Sequence, residues 1–214
     1  LALGDDVTKF AVADLAFGLG HAPLASAART DARLLAAKPA ELSFEQACTL
    51  PVTWSTTHEA LRRACLKSRN ITVVQAAAGG VGLKAVEYAQ RLRARVLGTA
   101  GRPHKHKQLQ LQGIEWLSSS RDPLAFSSGA TRLAAGRRWH SVLNSLSFDF
   151  IAISFACLGE GSSLEEIGKR GVWSDERMGA AASVAAYDAV ALDSMMAADP
   201  CWMQGVLGQL SGRI

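Results

Sequence analysis

Apolar positions along the 214-residue chain change rhythm near residue 70. Beyond it, short continuous runs of β-branched and aliphatic residues alternate with stretches whose apolar residues recur three and four apart. The first pattern predicts buried strands and the second predicts helices packed on one face. Strands are predicted at Ile71–Gln75, Arg95–Thr99, Ile114–Leu117, Ser141–Asn144 and Leu164–Ile167, with a later one at Ala185–Leu192. Helices are predicted between them at Gly80–Leu92, Lys105–Leu111, Leu124–Leu133 and Phe148–Leu158. Strands alternating with helices of this length imply an α/β fold, a doubly wound parallel sheet. Earlier residues read as short apolar pieces broken by Gly, Pro and charges, with brief strands at Val12–Phe17 and Ala32–Leu35. Phe44–Arg63 is predicted helical with an interruption at Pro51, and Ser43 with Gln46 forms a capping-box pattern at its start. The Ala-rich stretch Ala180–Ala186 reads as a loop or a helix turn.

The first strand and helix are joined by Ala76-Ala77-Ala78-Gly79-Gly80-Val81-Gly82. Strand, tight glycine turn and helix together present backbone N–H groups to a dinucleotide pyrophosphate, as in Rossmann-type folds. Ala78, Gly79, Gly80, Val81 and Gly82 are therefore candidate cofactor residues. Ala77 stands where the common G-x-G-x-x-G pattern has its first glycine, so the motif alone leaves a plain turn open. The second strand ends in Gly98-Thr99-Ala100-Gly101-Arg102, which puts Thr99 at the ligand edge. A site for NADH usually carries an acidic residue here to bind the ribose 2′-hydroxyl. None lies between Arg95 and Gln112; Arg102, His104, Lys105, His106 and Lys107 follow instead. A basic loop attracts a 2′-phosphate, which favours NADPH, with Arg102 and Lys105 as candidate ligands. Arg121, after a run of three serines, is either structural or a ribose-phosphate contact.

Composition narrows the classes. At 49% hydrophobic the chain can bury a sizeable core. A net charge of +4 is mild, and the basic residues scatter rather than forming one face, which argues against nucleic acid. The four cysteines lie far apart and form no cluster with histidine, so no zinc site is expected. They are expected as buried thiols in a reducing, cytoplasmic setting. Neither a signal peptide nor a membrane span is predicted: the most apolar run, Phe148–Leu158, is too short and contains Asp149. Histidines 21, 58, 104, 106 and 140 fit structural or solvated roles. Glu165 and Glu166 are adjacent on a strand, point to opposite faces, and so cannot act as an acid/base pair on one substrate. The chain starts without Met and mid-pattern, as if cut from something longer.

From Gly4 to about Met203 the chain resembles the enoyl reductase domains of polyketide and fatty acid synthases, within the medium-chain dehydrogenase/reductase superfamily. The resemblance rests on Gly4-Asp5-Asp6-Val7, on Asp31-Ala32-Arg33-Leu34-Leu35 with Lys38-Pro39, and on Leu42-Ser43-Phe44-Glu45-Gln46-Ala47 leading to Leu50-Pro51-Val52. It continues through the glycine turn, Ser119-Ser120-Arg121-Asp122, Val142-Leu143-Asn144-Ser145-Leu146 and Glu166-Ile167-Gly168-Lys169. His140 departs from the aspartate usual at that place. The resemblance implies that residues 1–47 end a GroES-like substrate domain lying mostly upstream, and that residues 48–214 form the nucleotide-binding domain. It places Asn144 and Ser145 beside the nicotinamide. It makes Lys169 and Asp193 candidates for handling the enolate and its proton. The implied activity is NADPH-dependent reduction of an α,β-enoyl thioester held on the phosphopantetheine arm of an acyl carrier protein, among neighbouring synthase domains. Two other readings stay open: a stand-alone quinone or enone reductase of the same superfamily, and a non-catalytic domain kept as scaffold in a multienzyme.

Overall fold

The computed structural model describes residues 2–20, 25–147, 149–181 and 184–213. His21, Phe148 and two residues of the Ala-rich stretch lie outside them. The described chain forms two compact units. The larger is Thr56–Val190; the smaller joins the residues up to Ser55 with those from Ala191 on. The packing thus divides the described chain near residue 55 and again near residue 190.

The larger unit is built on six parallel strands: β3 (Ile71–Val74), β4 (Arg95–Ala100), β5 (Trp116–Ser119), β6 (Trp139–Asn144), β7 (Leu158–Glu166) and β8 (Ala185–Ala189). Their order across the sheet is β5-β4-β3-β6-β7-β8. Counted from β3 this is 3-2-1-4-5-6, the order of dinucleotide-binding sheets, with the reversal falling between β3 and β6. Every residue of β3 is buried, as its run of β-branched residues requires when helices cover both faces. Helix α3 (Gly80–Arg91) buries Gly82, Ala85, Val86 and Ala89, the three-and-four spacing of one face. Helix α4 is Pro103–Leu111. Helix α5 (Pro123–Ala134) starts sharply because the Asp122 side chain accepts from the N–H groups of Leu124 and Ala125, with proline at its first position. It ends at Ala135, which takes the left-handed conformation. Helix α6 (Asp149–Cys157) precedes β7, and α7 (Asp175–Ala181) precedes β8. The core holds Val73, Leu97, Val142, Ile151 and Leu164, with the Phe126 ring centred 5.5 Å from Phe150 and 5.7 Å from Trp139.

The smaller unit contains an antiparallel pair, β1 (Ala16–Gly18) with β2 (Leu35–Ala37), joined through a 3-10 turn at Ala32–Leu34. Helix α1 (Phe44–Cys48) opens with the expected capping box: Ser43 accepts from the Gln46 N–H, and the Gln46 side chain accepts from the Ser43 N–H. Helix α2 (Leu50–Arg63) places Pro51 in its first turn, where no N–H is needed, and crosses from the smaller unit into the larger. Helices α8 (Leu192–Ala198) and α9 (Pro200–Ser211) complete the unit, with Phe17, Leu34, Met203 and Leu207 in its core.

Four expectations are corrected. Ala32–Leu35 is mostly a 3-10 turn, because Asp31 turns the chain by accepting from the Arg33 N–H. The late strand stops at Ala189, where its partner β7 also ends, and Leu192 already begins a helix. The third strand of the larger unit lies two residues later than expected, since Trp116–Ser119 is what pairs with β4. Cys48, Cys65 and Cys201 are exposed and Cys157 is only half-buried, so the thiols are not core residues. Among the described residues no helix is long and apolar enough to cross a membrane.

Candidate functional site

The crevice at the reversal of strand order lies beyond the C-terminal ends of β3 and β6. On the β3 side the chain folds back through Ala76, whose φ of 48° is left-handed, and the Gly79 N–H donates to the Ala76 carbonyl at 2.8 Å. Gly79 then stands at the N-cap of α3 with no side chain capping the helix. The positive end of the helix dipole is thus left open toward an anion. A Cβ on Gly82 would come within 2.5 Å of the Ala76 carbonyl oxygen and 2.6 Å of the Ala77 Cα. Only glycine lets the helix approach the strand this closely. The Ala77 methyl group sits against Gly98 of β4, where a Cβ would be 3.2 Å away. Ala78, Gly79, Gly80, Val81 and Gly82 lie along this turn.

Thr99 holds this turn from behind. It is fully buried, its hydroxyl accepts from the Ala76 N–H at 3.0 Å, and it donates to the Gln75 side chain at 2.8 Å. Its side chain therefore braces the turn.

Past β4 the basic loop lines a cleft of about 550 Å³. Arg102, His106 and Lys107 border it, and His106 Nε2 lies 2.8 Å from the Ala100 carbonyl oxygen. Lys105 is exposed and is not among the residues lining the cleft, whereas Lys107 is. The Arg121 side chain lies across Gly101, so close that a Cβ there would fall 2.6 Å from Arg121 Nε. Arg121 and Arg102 thus flank the end of β4 from two loops.

On the β6 side Asn144 is fully buried. Its Nδ2 donates to the Leu146 carbonyl at 2.7 Å and to Glu166 Oε2 at 2.6 Å. Ser145 is half-buried, and its hydroxyl lies 3.4 Å from the Gln75 carbonyl of the β3 end. Sequence reasoning misses Glu166, at the end of β7, because its partner is remote in the chain. Its Oε1 accepts from the Gly168 N–H at 2.6 Å. Burial pushes the Glu166 carboxyl up to about 7, against the pull of the Asn144 and Gly168 donors. Lys169 follows on the exposed loop beyond β7. Asp193 lies in the first turn of α8, exposed and in the smaller unit, not at the end of a strand. His140 is structural: its Nδ1 accepts from the Ile71 N–H at 3.0 Å.

No protein-family model matches the chain. Erythronolide synthase EryA2 of Saccharopolyspora erythraea is 39% identical over 171 residues, covering 78% of this chain and 5% of that protein. Among solved structures, the CurK enoyl reductase superposes with a TM-score of 0.80 at 32% identity, covering 86% of this chain and 55% of that one. The nucleotide-binding subdomain of the enoyl reductase domain of PpsC from Mycobacterium tuberculosis gives a TM-score of 0.69 at 28% identity, covering 74% and 90%. The quinone oxidoreductase of Thermus thermophilus, solved also in complex with NADPH, gives 0.68 at 27% identity, covering 85% and 57%. The chain thus spans a small fraction of the synthase it matches and about half of the CurK enoyl reductase chain. With its sheet order, glycine turn and Asn144 and Glu166 loops, it belongs with the enoyl reductase domains of polyketide synthases, in the medium-chain dehydrogenase/reductase superfamily.

Proposed function

We propose that the chain is the cofactor-binding part of an NADPH-dependent reductase, which converts a carrier-bound α,β-enoyl thioester to the saturated acyl thioester. Residues 1–47 would then end a GroES-like substrate domain. The observation that carries this reading is the uncapped start of α3 beside the crevice at the strand reversal, continued by the basic cleft past β4. The Gly79–Gly82 amides would hold the pyrophosphate. Arg102 and Lys107, with Arg121 over Gly101, would meet the ribose 2′-phosphate. Asn144 and Ser145 would border the nicotinamide. When bound, the cofactor supplies the hydride for the β-carbon of the thioester.

The chain's own residues then handle charge and proton. Electron density moves onto the thioester carbonyl oxygen as an enolate, and the Lys169 ammonium stabilises it. The α-carbon takes a proton, for which Lys169 is the first candidate and Asp193 the second. The test is thioester-dependent oxidation of NADPH by the protein, with an acyl-carrier-bound crotonyl group against a free quinone. Lys169→Ala should lower turnover by about tenfold or more while leaving NADPH affinity within about twofold, since its role lies in the transition state. Oxidation with quinone alone, or unchanged turnover of Lys169→Ala, would contradict the reading.

A further inference from the structure

We propose that Glu166 is a positioning residue, whose carboxylate clamps the Asn144 amide and the Gly168 backbone into one frame and thereby fixes the nicotinamide side of the crevice; this rests on the reductase reading above. Both oxygens are engaged, Oε2 by Asn144 Nδ2 and Oε1 by the Gly168 N–H, each at 2.6 Å. Both donors are N–H groups, so both oxygens act as acceptors in this arrangement. The bond to Glu166 also fixes which way the Asn144 amide faces: Nδ2 bridges Glu166 and the Leu146 carbonyl, while Oδ1 accepts from the Leu146 N–H at 3.3 Å. Two further bonds tie the same loops, from the Ile167 N–H to the Asn144 carbonyl at 2.9 Å and from the Ser147 hydroxyl to the Arg170 carbonyl at 3.0 Å.

Gly168 belongs to the device. A Cβ there would stand 2.6 Å from Glu166 Oε1, so the carboxylate closes on this backbone only because residue 168 lacks a side chain. Lys169 follows directly, and its backbone is held through Gly168. A buried carboxylate is an expensive way to join two loops, and an apolar side chain would stabilise the fold at least as well. What the carboxylate adds is orientation: it selects one face of Asn144 and one path for the loop leading to Lys169.

Glu166→Gln keeps the shape but offers one acceptor and one NH2 group, so one of the two bonds must be lost and an N–H is left facing an N–H. Gly168→Ala attacks the same contact from the other side. Each variant is titrated with NADPH and with 2′-phospho-ADP-ribose, which lacks the nicotinamide. NADPH affinity should fall about five- to tenfold in both variants, while affinity for the shorter ligand stays within about twofold of wild type. Unchanged NADPH binding overturns the proposal, and equal loss of both ligands assigns Glu166 to the fold alone and also overturns it. Wild-type protein that binds neither ligand overturns the reductase reading itself, and this proposal with it.

Discussion

Glu165 and Glu166 bury consecutive carboxyls on opposite faces of β7. Their partners differ. Glu166 is held by two donors, whereas among the described residues neither oxygen of Glu165 has a hydrogen-bond partner of normal geometry. Burial pushes Glu165 up to about 7, with Ser163 and Arg63 pulling it down and Asp188 and Glu59 pushing it up. Both glutamates therefore bind a proton more tightly folded than unfolded, where the ordinary value is 4.5. Their stabilising contribution is complete below about 4.5 and is lost as pH rises through about 7. Thermal stability should fall between pH 5 and pH 8, by on the order of 2 kcal/mol for each group. Glu59 and Glu87, which their basic neighbours hold below the ordinary value, act in the opposite sense but at lower pH. Glu165→Gln removes one of the two titrations and should roughly halve the slope. A melting temperature that is flat or rises over this range would contradict the assignment.

At the scale of elements, the contact between α3 and β3 sets the geometry of the crevice. Exchanging glycine for alanine inside a helix ordinarily stabilises by about 1 kcal/mol. Gly205 and Gly208 in α9 have open space where a methyl group would go, so alanine there should give that gain. At Gly82 the same methyl group meets backbone at 2.5 Å, and backbone cannot turn aside. Gly82→Ala should instead cost on the order of 2–4 kcal/mol in urea unfolding, with loss of cofactor binding. A stabilised Gly82→Ala would mean that helix and strand are further apart than described.

The elements legible in the sequence are those whose burial is local. The run Ile71–Val74 and the spacing of α3 declare a buried strand and a one-faced helix without reference to anything distant. The edges that differ from expectation are set by partners. β8 ends with β7, and β5 takes its register from β4, neither of which the apolar pattern encodes. β7 itself begins back at Leu158, which pairs with Trp139 of β6 before a register shift, and the regular pairing resumes only at Ser163. The site follows the same division. Gly79–Gly82 and the missing acidic residue after β4 are contiguous signals and are readable. Which lysine of the basic loop borders the cleft depends on the phase of α4, and Glu166 depends on a partner 22 residues away in the chain. The inward-turned Thr99 is explained only by the bond it makes behind the turn.

For the whole molecule, a net charge of +4 gives little long-range attraction, so cofactor preference must come from where a few cations stand. Arg102 and Lys107 border the cleft past β4, and Arg121 crosses Gly101 beside it. Scattered basic residues elsewhere add nothing to this discrimination, because salt screens exposed charges beyond about 10 Å. The proposed binding of a 2′-phosphorylated nicotinamide dinucleotide is checked by titrating the protein with NADPH and NADH in parallel. NADPH should bind at least about tenfold more tightly, and Arg102→Ala with Lys107→Ala should close most of that gap while NADH affinity stays as it was. Equal affinity for the two cofactors, or a preference for NADH, would contradict it.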